Sequence, residues 1–432
     1  MSSILTNNSA MVALQTLRNI NKNLATTQGE ISTGKSVATA KDNAAVWAIS
    51  KVMESDVKGF KGIRDSLSLG ESTVAVARQG AETVSDLLTE IKGKIVAAQE
   101  DNVDRAKIQT DIAALRDQIG AVVGAAQFNG LNLLSNREAV EGSGTMNILS
   151  SLDRSGAGVT ASNISVGKQD LGTQQAEIAT GSTAIVTADN NIGGAYDATA
   201  AALTGNAATP PTGTTTFYTA ATDAVAAGTG FNIAISATAG NAPANTAGLS
   251  DIVYVARDGD TAADVAAGLA AAFNSYVEES MGTGNTGTIA AVANGNQIVF
   301  TGANEAGANF SLAVNAYDAD DTTIGGGLSA LEDVDVSTAE GAQAALGQIE
   351  SMIQTAIDAA ASFGSAQGRI ETQSTFVSGL SDALRSGIGA MVDADMEEAS
   401  ARLQALQVQQ QLGVQALSIA NQAPQTILAL FR

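Results

Sequence analysis

The sequence predicts an elongated α+β protein: a long antiparallel α-helical coiled-coil rod built from both chain ends, with β-hairpins and an inserted β-rich outer domain. Three observations support this prediction. Apolar residues recur at heptad spacing near both ends of the 432-residue chain. The residues between them change to short apolar runs separated by Gly, Asn and Thr. All four prolines lie at or after position 210, so nothing interrupts long helices before it.

Three helices are predicted at the N-terminal end, because seven-residue apolar repeats are typical of helices that pack side by side. The first repeat covers residues 10–31, and the third covers residues 108–126 and ends before an Asn129-Gly130 turn. The second repeat, residues 46–98, is the longest of the three. It predicts one helix of about fifty residues.

A matching repeat covers residues 346–391 near the other end of the chain. Long helices from opposite ends of the sequence therefore have apolar faces to cover, and an antiparallel rod covers them with the two chain ends side by side. The side chains expected to pack inside this rod are Phe60, Leu67, Leu88, Ile91, Ile353, Ile370 and Leu384.

The middle of the chain is predicted to be rich in β structure. Residues 131–171 read as hairpins, and residues 176–330, called the insert below, read as a separate domain rich in Ala, Thr, Gly and Asn. Within the insert we predict strands over 231–237, 251–257 and 308–316, a hairpin over 288–300 that turns at Asn294-Gly295, and a helix over 261–276 that Asp260 caps.

The two ends of the chain carry very little charge. Residues 403–431 contain no charged side chain and are rich in Gln and large aliphatics, and the first 34 residues hold only Arg18, Lys22 and Glu30. A helix exposed to water normally carries charged pairs on its outer face. Burying the apolar side chains of one such helix returns less free energy than ordering it costs. Both ends are therefore expected to stay largely disordered in a monomer and to fold when many copies pack together.

Composition excludes several classes of function. The chain has no Cys and no His, which removes thiol and imidazole catalysis and zinc sites with those ligands, and we expect no cofactor. The net charge of −22 argues against a nucleic-acid partner, and fourteen acids with one base, Arg257, place −13 of it in the insert. Neither a secretory signal peptide nor an apolar run long enough to span a membrane is recognisable.

Two patterns suggest ligands. Residues 29–36 (GEISTGKS) fit the phosphate-loop pattern GxxxxGK[ST], but the heptad continues into them, and the chemistry needs a preceding strand. A bend between two helices is the better interpretation. The acids Asp258, Asp260, Asp318, Asp320 and Asp321 could bind calcium, although they lack the spacing of an EF-hand, and we predict no metal site.

Several segments resemble bacterial flagellin. The N-terminal signature includes STGKSVATAKDNAA (32–45), and AAQFNGLNLL (125–134) is similar to the hairpin entry of that family. At the other end, VDADMEEAS (392–400) and LGVQALSIANQAPQTILALFR (412–432) closely resemble the flagellin C-terminus. The resemblance covers residues 1–175 and 335–432, with its motifs in the same order as in the family.

The resemblance implies a secreted, extracellular filament protein with nested layers. Residues 1–40 and 397–432 would form the inner core, 41–175 and 331–396 a surrounding rod, and 176–330 a surface-exposed variable domain. It also implies export as an unfolded chain by the flagellar type III route. The implied partners are copies of the same chain, a filament cap, hook-junction proteins and an export chaperone.

The resulting hypothesis is a non-enzymatic subunit that polymerises into the flagellar filament for swimming motility. The residues expected to mediate self-assembly are Leu17, Leu24, Ile31, Leu403, Leu406, Leu417, Ile427 and Phe431. One alternative is a hook–filament junction protein of the same family. Another is an adhesin or carbohydrate-binding module carried by the insert, and an enzyme remains an alternative only through the phosphate-loop pattern.

Overall fold

The structure, a computed structural model, describes residues 7–155, 158–182, 184, 201–206, 209–239, 251–281 and 289–430. The chain divides into two compact units. The terminal unit comprises Met1–Asp65, Ser151–Thr160 and Ser374–Arg432, and the central unit comprises Ser66–Ser150 and Ala161–Gln373. The predicted mixture of long terminal helices with a β-rich middle is confirmed.

The described residues form six α-helices. They are α1 (Asn8–Thr33), α2 (Ala44–Ala98), α3 (Arg105–Ala125), α4 (Ala262–Met281), α5 (Ala339–Val392) and α6 (Met396–Leu430). At 55 residues, α2 confirms the long helix that the second heptad repeat predicts. The repeat positions Leu67, Leu88 and Ile91 of α2 and Ile370 of α5 are fully buried. Phe60, Ile353 and Leu384, which we also expected to pack inside a rod, are half-buried.

Thirteen strands lie between the helices in the described part of the chain. They are β1 (Gln127–Phe128), β2 (Leu131–Asn132), β3 (Thr145–Ser155), β4 (Gly158–Gly167), β5 (Glu177–Ile178), β6 (Ala201–Thr204), β7 (Thr212–Thr216), β8 (Gly230–Ala239), β9 (Val253–Val255), β10 (Ala290–Asn294), β11 (Gln297–Thr301), β12 (Asn309–Tyr317) and β13 (Thr322–Thr323). The larger sheets have the orders β6-β12-β8-β9 and β10-β11-β7, and β1-β2, β3-β4 and β5-β13 form two-stranded sheets. The hairpins expected in 131–171 and the strands expected in the insert are therefore present.

The predicted cap at Asp260 is wrong. Helix α4 begins at Ala262, and the Asp260 carboxylate instead accepts hydrogen bonds from Tyr254 Oη (2.6 Å) and Arg257 N (2.8 Å). The N-terminal end of α4 is stabilised by Asp264, whose Oδ2 accepts hydrogen bonds from the backbone N (2.8 Å) and Oγ1 (2.6 Å) of Thr261. Asp260 thus closes the turn before α4, where burial raises its pKa.

Within the central unit, α2 and α5 pack antiparallel. Arg78 Nε donates to Gln367 Oε1 (3.1 Å), and further along α2 the Lys92 ammonium lies 2.5 Å from Glu350. Residue numbers therefore increase along α2 as they decrease along the facing part of α5, as the predicted antiparallel rod requires. Helix α3 is joined to the segment before α5 through Gln109, whose Nε2 donates to the Val334 carbonyl (2.9 Å). No helix among the described residues is long and apolar enough to cross a membrane.

The insert has its own core, built by α4 and the two larger sheets. Its largest side chains are aromatic and nearly inaccessible to solvent: Phe217, Phe231, Phe273, Phe300 and Phe310. Phe273 of α4 meets Phe300 of β11 edge to face, with ring centroids 5.2 Å apart. Edge-to-face pairs add stability beyond the buried area. The helix and the three-stranded sheet are therefore held as one body.

Two short segments, residues 170–176 and 324–328, carry the chain into and out of the insert, and we call them the neck. Their backbones pair directly, because Gly326 N donates to Gln174 O (2.8 Å) and Leu328 N donates to Gly172 O (2.9 Å). Arg257, the one base of the insert, reaches the neck: its Nη2 donates to Gly325 O (2.9 Å) and its Nε lies 3.9 Å from the fully buried Asp170 carboxylate.

Candidate assembly surface

Helices α1 and α6 lie side by side and antiparallel in the terminal unit. Asn7 Nδ2 donates to the Ala420 carbonyl (2.8 Å), and Gln410 Nε2 donates to Asn21 Oδ1 (2.7 Å). The residue that follows α1 and the segment that precedes α6 are also joined, since Ala394 N donates to the Gly34 carbonyl (3.0 Å). The prediction that the two chain ends lie together is confirmed for α1 and α6.

The boundaries of α1 follow from its capping residues. Asn7 Oδ1 accepts a hydrogen bond from Ala10 N (3.0 Å) at the start, and at the end Gly34 adopts φ 69° and donates its N–H to Glu30 O (2.8 Å). The phosphate-loop pattern at 29–36 thus occupies the last turn of α1 and its C-cap. A helix precedes it instead of a strand, so the backbone does not form the cradle that binds phosphate.

The residues predicted for self-assembly lie at different depths. Leu406 is buried, and the half-buried members are Leu17, Leu24, Ile31, Leu403 and Leu417. Leu17 faces α6 of the same copy, because its Cδ1 lies 3.2 Å from the position a Cβ would take at Gly413. Phe431 lies outside the described residues, as does the side chain of Ile427. The set of residues predicted for self-assembly therefore includes contacts made within a single chain.

A second apolar set, which the sequence analysis missed, faces outward from the same helices. Its members are exposed: Met11, Val12 and Leu14 on α1, and Val408, Leu412, Val414 and Ile419 on α6. Full burial of seven such side chains would contribute roughly 10–20 kcal/mol. Exposed apolar side chains in this number on one pair of helices are typical of an interaction site on a soluble protein. The signal for it in the sequence was the absence of charge from residues 403–431, not the heptad.

Charge is divided very unevenly between the two units. Counted over the full sequence, the terminal unit holds 12 basic and 11 acidic residues, a net of +1, whereas the central unit holds 10 and 33, a net of −23. Several terminal charges are also paired: Lys51 lies 2.7 Å from Glu54, and its hydrogen bond lowers the pKa of that carboxyl. Copies of the terminal unit can therefore approach one another without strong like-charge repulsion.

Two of the five acids considered for calcium, Asp258 and Asp260, make hydrogen bonds inside the fold. Asp258 Oδ2 accepts from Gly144 N (2.6 Å), and Asp260 bonds Tyr254 and Arg257 as described above. Across the described ranges, no group of three or more acidic side chains is placed to hold a metal ion.

Comparison with known proteins agrees with this chemistry. Residues 4–139 match the family model for the bacterial flagellin N-terminal helical region, and residues 346–431 match that for the C-terminal helical region. The chain is 37% identical to Flagellin A of Rhizobium meliloti over 435 residues and 37% identical to Flagellin B over 438, covering 100% of each chain in both cases. Flagellar hook associated protein-3 of Legionella pneumophila aligns at 10% identity and a TM-score of 0.33, over 79% of this chain and 98% of that one.

Proposed function

This chain belongs to the bacterial flagellin family, whose members polymerise into the flagellar filament, and we propose that the α1–α6 pair is its main polymerisation surface. The chain is a structural subunit of that filament. The observation that supports this proposal is the outward apolar set on two helices that carry only three charged side chains each. A single copy leaves these side chains in water, and further copies of the same pair would cover them. The chain would act by packing alone, without catalysis.

A layered arrangement follows from the same proposal. Residues 1–40 and 397–432 would form the inner core, residues 41–175 and 331–396 the rod around it, and the insert the outer surface. The distribution of charge supports this order, because −13 of the net charge lies in the insert, where solvent and salt screen it. The uncharged, Gln-rich residues 403–431 would line the interior without binding passing chains electrostatically.

The location, the export route and the further partners are proposed as well. The chain would be extracellular and exported by the flagellar type III route. That export would require a chain that unfolds readily, and the absence of Cys is consistent with it. A filament cap, hook-junction proteins and an export chaperone would contact the terminal helices. A hook–filament junction role is the alternative, and the full-length identity to flagellins favours the filament subunit. Abundance in sheared filaments distinguishes them, since a junction protein is present in few copies.

Hydrogen exchange tests whether the terminal helices order on assembly. In dilute monomer, the backbone amides of α1 and α6 are expected to exchange rapidly, because the outward apolar set has nothing to pack against. In filaments the same amides should be protected, while the core of the central unit is protected in both states. Helices α1 and α6 that are already protected in the dilute monomer would contradict the proposal.

Deleting most of the insert is expected to leave polymerisation intact. Because the neck segments pair directly, residues 177–323 can be replaced by an Asn-Gly turn without stretching the backbone. The deletion removes Arg257, so Asp170→Asn is included to avoid a buried carboxylate without its cation. Electron microscopy should show filaments, formed at lower salt because the acidic insert is gone. Full-length Asp170→Asn is the control, and a stable deletion variant that makes no filaments would contradict the layered arrangement.

A further inference from the structure

The strand β10 forms one edge of the three-stranded sheet in the insert. Asn294 pairs with Gln297 across the two-residue loop, so the backbone N–H and C=O groups of alternate β10 residues bond to β11. The backbone groups of the other residues, Ala291 and Ala293, point away from β11 toward the open edge. An edge with unpaired N–H and C=O groups is a template on which another strand can pair.

A side chain from α4 occupies this edge. Asn274 Nδ2 donates to the Ala291 carbonyl (2.8 Å), and Ala291 N donates to Asn274 Oδ1 (2.7 Å). These are the two hydrogen bonds that a residue of a neighbouring strand would make, because a primary amide carries the same donor and acceptor as a peptide group. Phe273, which directly precedes Asn274, is fully buried against Phe300 and anchors this turn of α4.

The edge is complementary to a second copy of itself. If two β10 strands met antiparallel with Val292 at the centre, Ala291 of each copy would oppose Ala293 of the other, and each pair could exchange two hydrogen bonds. The two Val292 side chains would then be direct neighbours on one face. In the single chain Val292 is 60% exposed, which is unusual for a large apolar residue in a sheet.

We propose that Asn274 occupies the β10 edge and prevents it from pairing with the β10 edge of a second copy. Without Asn274, this edge would be the surface on which two inserts dock. The function is distinct from that of α1 and α6: it keeps crowded inserts separate where the proposed filament would display them side by side. Asn274 acts by position, as a one-residue substitute for a neighbouring strand.

A cysteine reporter tests the proposal in the full chain, which has no cysteine of its own. In the proposed pairing the two residues at position 292 form a non-hydrogen-bonded pair, whose Cα separation suits a disulfide. Under mild oxidation in dilute, unpolymerised solution, Val292→Cys alone should remain monomeric. Adding Asn274→Ala should raise the yield of the disulfide dimer about tenfold or more, as the loss of two hydrogen bonds implies.

Two controls separate edge pairing from other causes. Ser275→Ala, the neighbouring change on α4, should leave the Val292→Cys chain monomeric. Thr222→Cys, a reporter in an exposed turn of the insert, should give no extra dimer with Asn274→Ala. Equal dimer yields with and without Asn274, or equal yields at both reporter positions, would overturn the proposal.

A second measurement applies if Asn274→Ala fails to fold. Asn274→Ser keeps a polar side chain on α4 but is too short to make both hydrogen bonds to Ala291, so it tests the same contact. It should also raise the dimer yield of Val292→Cys. The Ala291 amide should also exchange more slowly in the native chain than in Asn274→Ala or, failing that, Asn274→Ser. Unchanged exchange and unchanged dimer yield in a folded variant would show that Asn274 does not guard the edge.

Discussion

Ile419→Asp is expected to give a folded monomer that makes no filaments. Ile419 is 69% exposed on α6, so a carboxylate there meets water in the single chain and removes no contact that α1 and α6 make with each other. In a polymer the same position would be covered by another copy. Burying the charge costs several kcal/mol and the apolar contact is lost, so the critical concentration should rise about a thousandfold or more.

Pelleting and electron microscopy measure this effect, with two comparisons. Ile419→Leu keeps the apolar surface and should polymerise almost normally. Leu406→Asp places its charge at a buried position, so it should also abolish filaments, but by separating α6 from α1 within one chain. Normal filaments from Ile419→Asp would show that the outward apolar set is not the contact surface.

Local periodicity explains why the helices could be predicted. In α2 the positions Leu67, Val74, Ala81, Leu88 and Ile95 recur every seven residues, and all of them are fully buried. A helix places such residues on one stripe whatever the rest of the chain does, so the sequence alone identifies the buried face. Strand β12 was predictable for a similar reason, since it alternates between half-buried and buried positions along almost its whole length.

What the sequence could not supply are contacts between residues distant along the chain. Asn274 meets Ala291 through its side chain, and Arg257 meets Asp170 and Gly325, yet none of these residues belongs to a recognisable motif. The Asp260 prediction failed because a capping residue and a turn-closing residue have the same local pattern, and only the position of Tyr254 distinguishes them. On α1 the heptad selected Leu17, which contacts α6 of the same chain, whereas the outward residues Met11, Val12 and Leu14 lie off that repeat.

The neck shows most directly how non-local contact decides a residue type. A Cβ on Gly326 would lie 1.9 Å from the Gly172 carbonyl oxygen, and one on Gly327 would lie 2.2 Å from that of Asp170. No real contact is so short, and the opposing atoms are backbone, which cannot rotate away. Glycine is therefore required by the close approach of the two neck segments.

Gly326→Ala is accordingly expected to destabilise the central unit by about 3–5 kcal/mol, combining overpacking with the loss of two neck hydrogen bonds. Its melting transition should fall by roughly 10 °C. Gly167→Ala is the matched control, because a Cβ there meets nothing within 4 Å, and its effect should stay within about 0.5 kcal/mol. Scanning calorimetry of both variants measures the difference. Equal melting temperatures would mean that the neck opens at little cost, and the insert would then be attached to the central unit by its own core contacts and Arg257 alone.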